Sequence, residues 1–325
     1  MRYSQSEKMQ IIRLVEESPM SVKQTLLELN INRSTFYKWY RRYQEGGFEA
    51  LANRYRPPEQ FWNAIPPWEK QRVVETALEH PEKSPRELAW YITDTRGYYI
   101  SESTVYRILK ANDLVTSPVY TVVTAQDKFL HPTKAPNELW QTDFTWFKIV
   151  HWGWYYLCSI LDDYSRYILA WQLCTGMSTD EVKETIEAAI GFSGFRDPRV
   201  LHRPRLLSDN GPCYVSQALK EYLEQEGIAH TRGRPYHPMT QGKIERYHRS
   251  MKNILLLENY YSPDELTDQI DLFIEYYNND RYHESLNNVT PADVYFGRKN
   301  DIEIKRKETK WRTLRQRKKS NLVLS

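Results

Sequence analysis

Between residues 6 and 45 apolar positions recur every three or four residues, the period of a helix that buries one face. Met9, Ile12, Leu14 and Val15 mark a first helix that Ser18-Pro19 stops. Ser21 opens a second, VKQTLLELN. The third, RSTFYKWYRRYQEG, starts near Ser34 or Thr35 and ends at Gly46-Gly47. Helix, helix, tight turn and basic helix predict a helix-turn-helix domain over 1–56. Phe36, Trp39 and Tyr40 stand at i, i+3 and i+4 and belong to its core. Arg33, Ser34, Thr35, Tyr37, Lys38 and Arg41 are then the candidate DNA contacts, because the early part of a recognition helix meets base edges. A plain three-helix bundle fits the same spacing.

Pro57-Pro58 and Pro66-Pro67 mark a stiff connection to a second helical, helix-turn-helix-like domain over 57–115, with Arg107 and Lys110 on its last helix. There PWEKQRVVETALEHP is one helix. Ser84-Pro85-Arg86-Glu87 opens another with a capping box, and STVYRILKAND, opened by Ser101 or Ser103, makes a third. Residues 116–136 lack helical period and read as an extended linker. From residue 137 the texture changes. LWQTDFTWFKIV, WYYLCSILDD and RYILAWQLC are rich in aromatic and β-branched residues and read as three consecutive strands. STDEVKETIEAAIGF, capped by Ser178, is a helix, RPRLLSDNG a strand, SQALKEYLEQEG a helix and IAHTRG a short strand. Two long helices follow, QGKIERYHRSMKNILLLEN and PDELTDQIDLFIEYYNND. The fold class is therefore multi-domain: N-terminal all-α units, then an α/β domain with a mixed sheet over 137–298. Residues 299–325 form a basic tail.

Charge is unevenly spread over the 325 residues, whose net charge is +3. Residues 1–60 hold 10 Lys/Arg against 7 Asp/Glu, residues 301–325 hold 9 against 3, and the centre holds 26 against 32. Basic ends around an acidic centre suit a polyanion held near a carboxylate site. KRKETKWRTLRQRKK has too few apolar side chains to bury a core, so the tail is expected to be a phosphate-binding arm, mobile without DNA. A solvated tail that only aids solubility is the alternative. A mean hydropathy of −0.72 argues against a membrane span, and the polar N-terminus against a signal peptide, so the cytoplasm is the expected compartment. Three cysteines without a CxxC spacing disfavour disulfides and a zinc knuckle.

Three carboxylates stand out by context. Asp143 alternates inside an otherwise apolar strand, where a charge needs compensation. Asp209 ends a strand and precedes Asn210-Gly211, at the rim where α/β sheets place their sites. Glu245 lies one turn into a helix, 35 residues beyond Asp209. Asn210 and Gly211 are read as the turn that presents Asp209, with glycine chosen for positive φ. Lys243, Arg246, Arg249 and Lys252, three apart, suggest a basic DNA-facing stripe, although a solvated face fits too. Asp162 and Asp163 are read as structural, and His237 and His248 as hydrogen-bonding residues.

WQTDFT, LDDYSR, LLSDNGPCY, PYHPMTQGKIERYHRSMK and YYNNDRYHESLNNVTPADVY together resemble the insertion-sequence transposases of bacteria, polynucleotidyl transferases with a retroviral-integrase-like core. The resemblance covers roughly 130–298, and tandem N-terminal helical units match that branch as well. It implies a ribonuclease-H-like catalytic core and an Asp143–Asp209–Glu245 triad that holds two Mg2+ or Mn2+ ions. It further implies cutting and 3′-OH joining of double-stranded DNA at element ends and target, by a homo-oligomer on that DNA. The His/Cys zinc module of retroviral integrases is missing, and so is a long leucine-zipper heptad. Oxygen-only ligands favour hard divalent ions, and no GxxxxGK[ST] loop points to a nucleotide cofactor. A DNA-binding regulator that has lost catalysis, and a nuclease acting on RNA–DNA hybrids, are the competing readings.

Overall fold

A computed structural model of the chain describes residues 3–52, 62–114, 133–195, 203–233 and 242–323. Pro57-Pro58, His237 and most of the expected linker over 116–136 lie outside the described residues. The chain divides into two compact units, residues 1–64 with 321–325, and residues 65–320. The second helical stretch is thus grouped with the sheet domain. No described helix is long and apolar enough to cross a membrane.

The first unit contains α1 (Gln5–Glu17), α2 (Val22–Glu28) and α3 (Arg33–Gly46). Ser4 and Glu7 close a capping box at the head of α1, and Ser21 caps α2. α3 starts at Arg33, next to Ser34, and its cap is Asn32. Its short side chain reaches forward to accept the Ser34 N–H at 3.0 Å and the Ser34 hydroxyl at 2.8 Å. Phe36 and Trp39 join Ile12, Leu26 and Leu51 in the core. Arg33, Ser34, Tyr37, Lys38 and Arg41 consequently face outward, and Thr35 is half-buried.

In the second unit α4 (Pro67–Glu79), α5 (Pro85–Thr95) and α6 (Glu102–Ala111) pack around Val73, Leu88, Ile92 and Val105. The Ser84–Glu87 capping box opens α5 as read from the sequence. The sheet has the order β3-β2-β1-β4-β5. β1 (Leu139–Ile149), β2 (Gly153–Asp162) and β3 (Ile168–Cys174) are antiparallel neighbours, whereas β4 (Arg205–Ser208) and β5 (Ala229–Arg232) run parallel to β1. One face is covered by α7 (Thr179–Ser193), the short α8 (Pro212–Val215) and α9 (Gln217–Gln225), around Trp140, Ile186, Leu206 and Leu219. The other is covered by α10 (Gly242–Leu255) and α11 (Pro263–Asn279), around Phe147, Leu157, Tyr247 and Ile270. Asn278 closes the edge of β3: its Oδ1 accepts the Ile168 N–H at 2.9 Å and its Nδ2 donates to the Ile168 carbonyl at 3.1 Å. All three cysteines are buried free thiols.

After the short α12 (Pro291–Tyr295) comes α13 (Lys299–Val323), a helix of 25 residues. This overturns the expectation of a mobile arm. The sequence lacks apolar residues to bury, but α13 buries a polar stripe instead: Arg306, Thr309, Thr313 and Arg317. Arg306 spans Asp94 on α5 with two bonds (2.8 and 2.7 Å) and donates to the carbonyls of Asn287 and Asn288, at the end of the sheet domain. Arg317 pairs with Glu69 on α4 at 2.5 Å, with both side chains only 6% exposed, and also donates to the Tyr99 carbonyl. Opposite charge on α4 and α5 takes the place of a hydrophobic seam.

A buried pair is costly to break from one side, because the remaining charge is stranded out of water. Arg317→Met is therefore expected to lower the unfolding free energy by about 3–5 kcal/mol, read from a urea melt. Lys220→Met, which breaks an exposed pair with Glu224, should cost about 0–1 kcal/mol. Equal losses for the two variants would show that the α13–α4 pair does not hold the helix.

Candidate active site at the rim of the sheet

Strand alternation sorts the side chains of β1. Trp140, Thr142 and Phe144 turn toward the α7 and α9 layer, and Gln141, Asp143 and Phe147 toward α10. The parallel ladder pairs Gln141 with Leu207. Two residues further along each strand stand Asp143 and Asp209, at matching positions on neighbouring strands. Asp209 lies just past the C-terminal end of β4, at the rim where parallel strands present ligand sites.

The turn after Asp209 is held from two sides. Asp209 Oδ1 accepts the Gly211 N–H at 2.9 Å, and Asn210 Nδ2 donates to the Gly233 carbonyl beyond β5 at 2.8 Å. Gly211 has φ −59°, so positive φ is not why glycine stands there. The reason is space: a Cβ at this position would lie 3.1 Å from Asp209 Oδ1 and 3.5 Å from the Tyr214 ring. Any side chain would press on the carboxylate.

A buried polar cluster fixes α10 against β1. Asp163, just past β2, accepts from Gln141 Nε2 at 2.7 Å, Lys243 Nζ at 2.6 Å and Thr133 Oγ1 at 2.6 Å. Gln141 Oε1 in turn accepts the backbone N–H of Ile244 at 3.2 Å, in the first turn of α10. Further along, His248 Nδ1 lies 3.5 Å from Asp143 Oδ2. Ile244 to His248 is four helical residues, about 6 Å of rise, and Gln141 to Asp143 is two strand residues, about 6.6 Å. Helix and strand advance in step, so both contacts hold at once. Glu245 stands between those two contact points.

Lys243 is not a phosphate contact. It is 8% exposed and bound to Asp163; burial and Arg166 lower its pKa while Asp163 opposes them. The proposed basic stripe fails for a geometric reason. Each three-residue step falls about 60° short of a full turn, so Lys243 and Lys252 lie on opposite sides of α10. Arg246 and Arg249 are exposed. Lys252 instead lies 4.0 Å from the centre of the Trp146 ring. Asp162 is structural, accepting the Asn137 and Ser165 N–H groups and the Ser165 hydroxyl. Burial raises its pKa, against the lowering effect of the Ser165 bonds.

Asp143 and Asp209 stand side by side at the rim, and Glu245 lies on α10 between the two residues that touch β1. Among the described residues no three His, Cys, Asp or Glu side chains form a metal-holding group, and the Glu245 side chain is exposed. The donor set itself fits a hard divalent cation: oxygen only, with Asp143 22% exposed at the rim and Asp209 kept clear by the missing Cβ of Gly211. His248 Nε2 is buried without a hydrogen-bond partner among the described residues. Sequence reasoning missed Gln141 and the connecting role of Asp163. The available signal was a second polar residue on the buried face of β1, two positions before Asp143.

Comparison with known proteins places this geometry. An integrase core domain matches residues 133–238 and a second integrase core model matches 226–291. Homeodomain-like domains match 2–52 and 35–109. The transposase of insertion sequence element IS904 from Lactococcus lactis is 27% identical over 161 residues, 49% of this chain and 61% of that protein. The Gag-Pro-Pol polyprotein of sheep pulmonary adenomatosis virus is 35% identical over 133 residues, 39% of this chain and 7% of that protein. The chain thus spans only part of these relatives. The HTLV-2 integrase catalytic core domain aligns with 50% of this chain and 97% of its own at 23% identity and a TM-score of 0.40. The Mos1 mariner transposase catalytic domain aligns with 55% and 83% at 14% identity and the same score. At such scores the structural likeness adds no weight to the sequence matches.

Gln141→Leu removes a donor to Asp163 and the acceptor of the Ile244 N–H. Stranding buried polar groups costs about 1–3 kcal/mol each. The variant is expected to be less stable by that order, and the Ile244 amide to exchange hydrogen faster than its α10 neighbours. Unchanged exchange at Ile244 would mean that Gln141 does not hold the helix.

Proposed function

We propose that this chain, an integrase-core protein with homeodomain-like units ahead of the core, is an insertion-sequence transposase. In this reading it binds the terminal repeats of its element and catalyses metal-dependent strand cleavage, then transfer of the freed 3′-OH to target DNA. One observation carries the reading. β1 and β4 bring Asp143 and Asp209 to matching positions at the rim, and the Gln141–Asp163–Lys243 cluster ties the first turn of α10, which bears Glu245, to β1.

Asp143, Asp209 and Glu245 would hold Mg2+ or Mn2+. When bound, such ions supply Lewis-acid stabilisation of the attacking and leaving oxygens of a phosphodiester. The chain's own residues position the carboxylates. β1 and β4 are neighbours in a hydrogen-bonded sheet, which limits the separation of the two aspartates. Asn210 and Gly211 keep the Asp209 turn rigid and uncrowded. His248 lies against Asp143 from α10 and holds its carboxylate to one side. Arg246 and Arg249 are exposed on the helix that bears Glu245, where they meet incoming phosphate. Repeat recognition falls to Arg33, Tyr37, Lys38 and Arg41 on the outward face of α3, whose core-facing Phe36 and Trp39 orient them.

Asp143→Asn, Asp209→Asn and Glu245→Gln are each expected to abolish end cleavage and strand transfer while leaving duplex binding intact. Gel-shift and strand-transfer assays in Mg2+ measure both. Joining near the parent rate for any one variant removes that residue from the site. Combining Lys38→Ala with Arg41→Ala should have the converse effect: repeat binding weakens, and strand transfer from a pre-nicked short substrate is less affected. Undiminished preference for repeat over scrambled duplex would move recognition off α3.

A further inference from the structure

The cations of α13 differ in setting, and several, Lys305 and Lys319 among them, are simply exposed. Arg306 and Arg317 point inward and are neutralised by Asp94 and Glu69. Lys307, Arg315 and Lys318 are exposed and lie about half a turn away from that stripe. Trp311, 76% exposed, sits among them, and Glu308 is the one acid between residues 304 and 320. A helix already docked by its inner face has no folding need for such an outer ridge. Its free cations stay close together at an electrostatic cost that a polyanion would relieve.

Position narrows the occupant. The middle of α13 abuts the turn that leads into α6, the last helix of the second helical unit. Arg312 Nη2 donates to the Gly97 carbonyl at 2.9 Å, the Tyr99 N–H donates to Thr313 Oγ1 at 2.9 Å, and Lys310 Nζ lies 4.9 Å from the Tyr99 ring centre. On α6, Tyr106, Arg107 and Lys110 are exposed. The ridge from Lys307 to Lys318 runs about 16 Å, against one phosphate charge per about 1.7 Å of duplex axis. A rigid row of cations of that length, with one exposed indole, matches a sugar–phosphate backbone and offers no groups poised for base edges.

We propose that the outer ridge of α13 is a rail for the backbone of duplex DNA, continuing the footprint of α6 without reading sequence. The proposal rests on the DNA-binding part of the function proposed above. The inner face of α13 is a dock and the outer face a contact. The helix thereby fixes how bound duplex lies relative to the sheet domain, to which Arg306 ties it.

The test compares the full chain with a Lys307→Gln, Arg315→Gln, Lys318→Gln variant. Binding to terminal-repeat duplex and to scrambled duplex of equal length is titrated from low to high salt. Three lost phosphate contacts should make the slope of log K against log salt shallower by about 2.7, on both duplexes, with the preference between them unchanged. Trp311→Ala should weaken both to a similar degree. The three replaced side chains are exposed, so thermal melts should coincide with the parent; a circular dichroism melt checks this. An unchanged slope, or a loss confined to the repeat duplex, overturns the rail. A parent that binds neither duplex overturns both proposals. If the parent binds and the variant shows the expected slope change, but the parent never cleaves, only the transposase reading fails.

Discussion

Asp163 stands almost wholly out of water just past the end of β2, and a carboxylate so placed must be surrounded by donors. Its donors come from separate parts of the chain: Thr133 ahead of the sheet, Gln141 on β1 and Lys243 at the head of α10. Meeting that one requirement sets the position of α10. Gln141 then uses its remaining carbonyl for the Ile244 N–H, one of the first-turn groups that a helix leaves unpaired. The two aspartates are near each other because the sheet makes them so. The first turn of α10, which bears Glu245, is held against β1 because a buried charge elsewhere has to be satisfied.

Apolar layers alone would not achieve this placement. Tyr247, Met251 and Leu255 pack on Phe147 and Leu157, and such contacts tolerate sliding because the hydrophobic effect has no direction. Polar bonds do not tolerate it. The matched rise of four helical and two strand residues lets Gln141–Ile244 and Asp143–His248 hold at once, which locks the helix along its axis. Asn278 performs the same service for α11 at the edge strand β3, by taking up both backbone groups of Ile168.

α13 extends the pattern to a helix with hardly any apolar seam. Its mean composition is that of a solvated, self-repelling segment. Order comes from where two arginines meet two acids, Arg306 with Asp94 and Arg317 with Glu69. Composition counts charges; it does not pair them. A basic run can therefore be a docked strut, with only part of its charge left for a ligand.

Local period and chemistry were enough to read the helices other than α8, α12 and α13, the strand run from Leu139 to Cys174, the Ser84 capping box, the burial of Phe36 and Trp39, and the special setting of Asp143 and Asp209. Each depends on neighbours a few residues apart, within reach of a pattern. What lay beyond the pattern was long-range. Lys243 looked like a phosphate ligand because nothing near it in sequence announces Asp163, 80 positions earlier. The glycine at 211 was assigned to φ, whereas the carboxylate of Asp209 needs the space. The basic stripe on α10 looked continuous on paper and winds half-way round the real helix. The tail was read as mobile because its partners, Glu69 and Asp94, lie more than 200 residues away in the chain. Sequence determines which groups must be satisfied, and tertiary structure decides which distant residue satisfies them, because an ion pair is governed by distance in space and by the water excluded around it.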